Sequence, residues 1–372
     1  MSYELEVFMI PINDLSRKVR ANQESLTQTA SSVFSSGSYV LGQEVSTFES
    51  AFANFIGTKF CIGVASGSDA LKIALTSSGI GAGSRVLTVA NAGMYSSNAI
   101  YSVGATPVYI DIDPNNMLLD AERLSDFAFL SIDALIVTHL FGLAHPKIDE
   151  IATWCKTHSI VLIEDCAQAH GASINGKSAG TFGDLSCFSF YPTKNLGALG
   201  DAGAVLTNSP DLRESVNSLR QYGWKTKYHV ALRDGLNSRL DELQAAILNF
   251  FLPQLDQWNS RRRQIAHAYL SQIDNPLITT PNDFSDNYVS HLFVVRTKNR
   301  KSLIDHLSQR GIGTDIHYPI PDHLQEPYKG ENINVSLPIT EQYCEEILTI
   351  PCFPELTDNE LENVITAINE WR

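Results

Sequence analysis

Between residues 45 and 210, short apolar runs alternate with stretches of helical spacing. Residues 48–56 (FESAFANFI) repeat apolar side chains at intervals of three and four, which predicts a helix with one buried face. Apolar runs at 61–65, 86–89, 107–110, 134–138, 161–164 and 185–190 predict strands, and a helix is expected over 69–76. Nearly continuous apolar strands separated by helices imply a mostly parallel sheet covered on both faces. The fold class is therefore α/β.

The pattern then changes. Residues 237–251 read as a long helix with Leu240, Leu243 and Ile247 on one face, ended by Pro253. A basic helical stretch at 258–270, an alternating run at 291–296 (HLFVVR) and a last helix from Asp358 suggest a smaller α+β unit. We expect a large domain over 1–252, with its N-terminal segment unplaced, and a small domain over 253–372. Internal repeats are not evident.

Composition narrows the class of partner. A chain of 372 residues, 44% hydrophobic and 18% charged, has enough apolar material for a two-domain globular protein. Its net charge of −14 repels the nucleic-acid backbone and anionic membranes, so neither is an expected partner. The start, MSYELE, is acidic and lacks the basic, apolar layout of a signal peptide, and Met9 is an alternative start. With no apolar run of membrane-spanning length, a cytoplasmic location is expected. The cysteines at 61, 155, 166, 187, 344 and 352 form no CxxC pair and read as buried free thiols.

Four segments carry candidate chemistry. Ser66-Gly67-Ser68-Asp69 follows a strand and opens a helix, where free amides and a hydroxyl make a phosphate cup; a plain capped turn is the alternative. Val161 to Asp165 is an apolar strand ending in acids, at the edge where α/β sheets bind ligands. A carboxylate there suits the pyridine nitrogen of pyridoxal phosphate (PLP), although it also suits a helix cap. In Ser189-Phe190-Tyr191-Pro192-Thr193-Lys194-Asn195-Leu196-Gly197, a lysine sits among apolar and small residues. Desolvation frees such an amine for Schiff-base chemistry, whereas a surface lysine is the ordinary reading. The fourth segment, 235–246, is by itself a capped amphipathic helix.

Their order is the layout of fold-type-I PLP enzymes: phosphate turn, carboxylate strand, lysine. From about residue 40 to the C-terminus the chain resembles the DegT/StrS family of nucleotide-sugar aminotransferases. SGSYVLGQEVSTFESAFA, ASGSDALKIAL, VGATPVYIDIDP, EDCAQAHGA, GTFGDLSCFSFYPTKNLGALGDAGAV, GLNSRLDELQAAIL and HYPIPDHLQEPY carry the resemblance. It implies a mostly parallel sheet of the seven-stranded type with helices on both faces. It further implies PLP, alternating with the pyridoxamine form (PMP), as cofactor, and a homodimer with shared sites. Lys194 would hold the cofactor and shuttle protons, Asp165 would pair with the ring nitrogen, and Gln168 would lie near the ring hydroxyl. Gly67, Ser68 and Ser189 would hold the phosphate, joined by Asn237 from the neighbouring subunit. Tyr191, Tyr228, Arg239, His317, Tyr318 and His323 would face the sugar nucleotide.

One stretch departs from the family pattern. Members carry an aromatic residue, stacked on the cofactor, where ungapped alignment here gives Gly93. Either Met94 or Tyr95 then supplies the stacking, and Tyr95 is preferred over simple packing. Lysine at 194 favours transamination over the related dehydration, which uses histidine there. The expected substrates are L-glutamate and a nucleotide-linked keto-sugar. SFYPTKNLGALGD and GLNSRLDELQAAIL look more like segments of enzymes that aminate C3 of dTDP-3-keto-6-deoxyhexoses. A 4-keto sugar and a UDP-linked 3-keto sugar remain alternatives. A non-catalytic regulator of this fold is opposed by the intact Asp165, Ser189 and Lys194.

Overall fold

A computed structural model describes residues 9–282 and 287–372; the acidic start at 1–6 lies outside them. The first helices, α1 (Leu15–Ala21) and α2 (Gln23–Ser36), are built from a polar, Ser/Thr-rich stretch for which the apolar pattern predicts nothing. Helix α3 (Gln43–Ile56) buries Val45, Phe48, Phe52 and Ile56 and stops at Gly57, whose φ of 92° suits glycine. The α3 N-terminus has no side-chain cap of its own. Glu242, distant in sequence, supplies one, its carboxylate accepting from the amides of Gly42, Glu44 and Val45 at 2.8–2.9 Å. An anion so placed also meets the positive end of the helix dipole.

Strand β1 (Phe60–Val64) leads into α4 (Gly67–Ser77), β2 (Arg85–Thr88) into α5 (Tyr95–Ser102), and β3 (Thr106–Tyr109) follows. Then come β4 (Ala134–Thr138), α6 (Ile148–His158), β5 (Val161–Asp165), β6 (Leu185–Ser189), β7 (Gly203–Thr207) and α7 (Pro210–Leu219). These strands form one seven-stranded sheet in the order β1-β7-β6-β5-β4-β2-β3. Only β7 runs antiparallel to its neighbours, pairing β1 on one side and β6 on the other. The six strands expected from the sequence are all present, within a residue or so. The seventh, β7, was not among them. Apolar layers cover both faces: Leu135 and Val137 join one core cluster, while Ala134 and Ile136 join the other.

Beyond β7, the pair β8 (Trp224–Thr226) and β9 (His229–Val230) forms an exposed hairpin. Helix α8 starts at Glu242, not at 237, and runs to Phe251 with Asp241 as its N-cap. Residues 237–241 are instead held extended by neighbours: Asn237 bridges Gln221, the Ser238 amide donates to Arg220 O at 3.0 Å, and the Ser238 hydroxyl accepts from the Ala65 amide at 3.0 Å. Tertiary pairing has overridden the helical spacing here.

The remaining elements are α9 (Leu255–Gln272), β10 (Phe293–Arg296), α10 (Arg300–Gln309), α11 (Pro338–Glu346), β11 (Ile347–Ile350) and α12 (Asp358–Glu370). A division at 252/253 would fall in the turn Leu252–Gln254 between α8 and α9. The first described residues associate with the C-terminal elements. Ile10 bridges Ile312, and Arg17 makes a two-pronged pair with Glu360 at 2.7 and 2.6 Å. All six cysteines are buried and free. No helix among the described residues is long and apolar enough to cross a membrane.

Candidate active site

The C-terminal ends of β5 and β6 and the N-terminus of α4 open onto one cavity of about 650 Å³. Gly67 is where the phosphate turn meets the sheet. A Cβ there would lie 2.6 Å from Ser189 Cβ, so only glycine lets α4 approach β6 this closely. Ser66 caps α4, accepting from the Asp69 amide at 3.1 Å. The amides ahead of Asp69 have no partner within a helix and open, with Ser68 and Ser189, on the cavity.

Asp165 ends β5, buried, with Oδ1 accepting from the Ala167 amide at 3.1 Å. Burial pushes its carboxyl up, opposed by that amide and by the charge of Lys194. Its neighbour Glu164 faces elsewhere and serves the fold. It accepts from the Gly180, Phe182 and Gly183 amides at 2.7–2.8 Å and pairs with His139 Nε2 at 2.9 Å.

Lys194 sits in a tight turn between β6 and β7. Its amide donates to Tyr191 O at 2.8 Å, and a Cβ on Gly197 would meet Pro192 O at 2.3 Å. The side chain faces the cavity, yet is enclosed enough that desolvation lowers its pKa to about 8, against the opposing pull of Asp165. The residue after it anchors the turn. Asn195 Nδ2 donates to Asn259 Oδ1 at 2.8 Å and Val289 O at 3.0 Å, so its Oδ1 must accept from His291 Nδ1 at 3.0 Å. That fixes a neutral His291 with its proton on Nδ1, in line with a pKa pushed well below the usual range by burial. Asn195 and His291 are not among the residues expected from the sequence; the position of Asn195 directly after Lys194 is the one local signal available.

Gln168 is oriented by the Phe141 amide, which donates to its Oε1 at 2.6 Å. The Nε2 thus faces the cavity and donates to Tyr318 OH at 3.2 Å. His317 lines the same wall, its Nδ1 2.9 Å from Thr349 Oγ1. Tyr191 stands at the rim and is half exposed. Tyr95 lines the cavity edge-on to Tyr318, with ring centroids 5.9 Å apart, while Gly93 is packed directly against the Tyr318 ring.

Four expected site residues do not line this cavity. His323 is a correction: the turn Asp322–Leu324 points it inward, fully buried, with Nε2 3.1 Å from Glu341 Oε1. Asn237, Tyr228 and Arg239 lie on an outer face. Asn237 is exposed, Tyr228 projects from the β8–β9 hairpin with 77% of its surface accessible, and Arg239 stacks on Tyr222 at 6.0 Å. Asn237 caps no helix, contrary to the simpler reading of its segment.

Together, a cup of helix amides, a buried carboxylate and a buried amine at strand ends define a transferase site of the fold-type-I PLP class. The chain belongs to the DegT/DnrJ/EryC1/StrS aminotransferase family, whose profile matches residues 20–369. It is 44% identical over 364 residues to dTDP-3-amino-3,6-dideoxy-alpha-D-galactopyranose transaminase of Aneurinibacillus thermoaerophilus, covering 98% of this chain and 99% of the relative. The structure of Streptomyces venezuelae DesV in complex with a ketimine intermediate superposes with a TM-score of 0.94, at 39% identity and 98% coverage of both chains. Bacillus subtilis NtdA with bound cofactor PMP gives a TM-score of 0.91 at 26% identity, covering 99% of this chain and 86% of that one.

Proposed function

We propose that this protein is a PLP-dependent aminotransferase that moves an amino group from L-glutamate to C3 of a dTDP-linked 3-keto-6-deoxyhexose. One observation carries the cofactor reading: the Lys194 amine and the Asp165 carboxylate share a cavity that the amide cup of α4 also lines. The donor set fits the group. Asp165 has a buried carboxylate suited to a protonated ring nitrogen, Gln168 Nε2 has a second hydrogen free for a ring oxygen, and the cup suits a phosphate dianion. Bound there, PLP supplies an electron sink and an amino carrier. Lys194 Nζ holds the cofactor and moves the proton, Asp165 keeps the ring nitrogen charged, and Gly67, Ser68 and Ser189 bind the phosphate. C3 rests on the Aneurinibacillus relative, a 3-amino-sugar transaminase, together with the segments around Lys194 and Asn237.

Charge supports a shared dimer site. Among the described residues that line the cavity, Lys194 is the one Lys or Arg, against Asp165, Asp201 and Asp315. A dicarboxylate donor and a nucleotide diphosphate both need cations that this wall lacks. Lys225, Lys227, Arg233 and Arg239 stand on the outer segment that holds Tyr228 and Asn237. Tyr222, Tyr228 and Val230 of the same stretch are exposed, as are Tyr39 and Val40, the latter bridging Asp241; exposed apolar side chains of this size suit a partner surface. In a two-fold dimer this segment would reach the neighbour's cavity, with Asn237 on the cofactor phosphate.

The test is a single turnover of the pyridoxamine-form enzyme with dTDP-3-keto and dTDP-4-keto sugars. Amino product at C3 is expected. Product only at C4 would overturn the substrate assignment.

A further inference from the structure

Two buried carboxylates tie residues 315–346 to the large sheet at the starts of two helices. Asp111, just after β3, accepts from the Thr340 amide at 2.9 Å, the Thr340 hydroxyl at 2.7 Å and the Ile339 amide at 3.0 Å, at the start of α11. Asp322 returns the contact. Its Oδ1 accepts from the Met94 amide at 2.8 Å and its Oδ2 from the Ser97 hydroxyl at 2.5 Å, while its own amide donates to Ala90 O at 2.7 Å. Met94, the N-cap residue of α5, has no side-chain acceptor of its own, and Asp322 takes the Met94 amide and the Ser97 hydroxyl, not the amides of the first turn. Gly93 and Met94 hold φ of 72° and 68° in the turn that presents the Met94 amide to Asp322.

Tyr318 lies four residues before Asp322 in the same segment. Its ring fills the place of a side chain at 93: a Cβ on Gly93 would come within 2.8–2.9 Å of three ring atoms. The phenol oxygen accepts from Gln168 Nε2, and the ring meets Tyr95 edge-on. A ring so placed is held from three sides: by the glycine beneath it, by Gln168, and by the segment that Asp322 anchors.

We propose that Gly93 is a notch that receives the Tyr318 ring and that Asp322 is the positioning residue that keeps the ring seated. Tyr318, not Tyr95, is then the aromatic wall of the cofactor site, and its position is set from outside the cavity. This inference rests on the cofactor reading above.

The test is a double-mutant cycle on cofactor-loaded enzyme, read by the induced circular dichroism of the cofactor band and by KM and kcat separately. Gly93→Ala should change the band amplitude by about twofold or more, and that change should vanish in a Tyr318→Leu background. The backbone strain of alanine at position 93 is present in both backgrounds and cancels. Asp322→Ala should reproduce the Gly93→Ala spectrum. Ser97→Ala, which removes one of the two donors to the Asp322 side chain together with the acceptor of the Tyr109 hydroxyl, should give part of it. Equal Gly93→Ala effects with and without Tyr318 would overturn the notch. A lowered melting temperature with an unchanged cofactor band in Asp322→Ala and Ser97→Ala would overturn the positioning role. Failure of the unmutated enzyme to take up cofactor would sink the cofactor reading instead, so the two failures are distinguishable.

Discussion

The depressed pKa of Lys194 has a direct kinetic consequence. Burial carries the amine from 10.5 to about 8, with Asp165 opposing the shift. At pH 7 an ordinary lysine is uncharged in roughly one molecule in 3,000, whereas a pKa near 8 leaves about one in ten uncharged. The reactive form is thereby enriched roughly 300-fold before any catalytic effect is counted. Stopped-flow mixing of cofactor-free enzyme with PLP should show a covalent capture rate that rises with pH and levels off above about 8. Asp165→Asn removes the one charge that raises this pKa, so its capture profile should move to lower pH. The same variant should lose transfer activity by about 100-fold or more, since the ring nitrogen no longer has an anion to keep it protonated. Faster capture with slower transfer is a signature that general damage does not produce. A capture rate still climbing towards pH 10, or an Asp165→Asn profile displaced upward, would refute the reasoning.

Three further outcomes follow from the same geometry. In cofactor-free protein, Lys194→Met should raise the melting temperature at pH 7. A native pKa below the unfolded one means that the folded state disfavours the charged amine; the shift corresponds to at most roughly 3 kcal/mol, and the gain should shrink as pH rises from about 8 towards 10.5. Gly67→Ala should weaken PLP retention by about tenfold or more in a fluorescence titration, because its methyl would displace Ser189 from the cup; unchanged retention would count against the phosphate assignment. Mixed Lys194→Ala and Asn237→Glu subunits, each inactive alone, should regain activity after exchange. One heterodimer site then carries both lesions and the other none. No recovery despite proven exchange would argue for separate sites.

The site was more legible in the sequence than the fold around it. Lys194, Asp165 and the Ser66–Asp69 turn each have an ordinary local reading, and it is their order along the chain, with the family resemblance, that marks them as a site. The parallel strands were equally plain, since burial on both faces makes each an unbroken apolar run. Strand β7, although fully buried, comes directly after the glycine-rich turn that follows Lys194, and its antiparallel insertion between β1 and β6 has no local signal. Helix α2 buries only Leu26 and Val33, too little to stand out from a polar stretch. The start of α8 was misjudged because backbone pairing of Asn237 and Ser238 with Gln221 and Arg220 holds the preceding residues extended. His323 went astray for a similar reason. Its neighbour Asp322 is drawn to the start of α5, a contact far apart in sequence, and the histidine lies fully buried outside the cavity lining.

The most direct test of the central claim is to reduce the PLP-loaded protein with borohydride, digest it and map the modified peptide by mass spectrometry. The account predicts a single PLP adduct on Lys194, absent from Lys194→Ala even though that variant still binds PLP non-covalently through the α4 cup and Asp165. An adduct on Lys177 or Lys227 instead, or no adduct on any lysine, would contradict it.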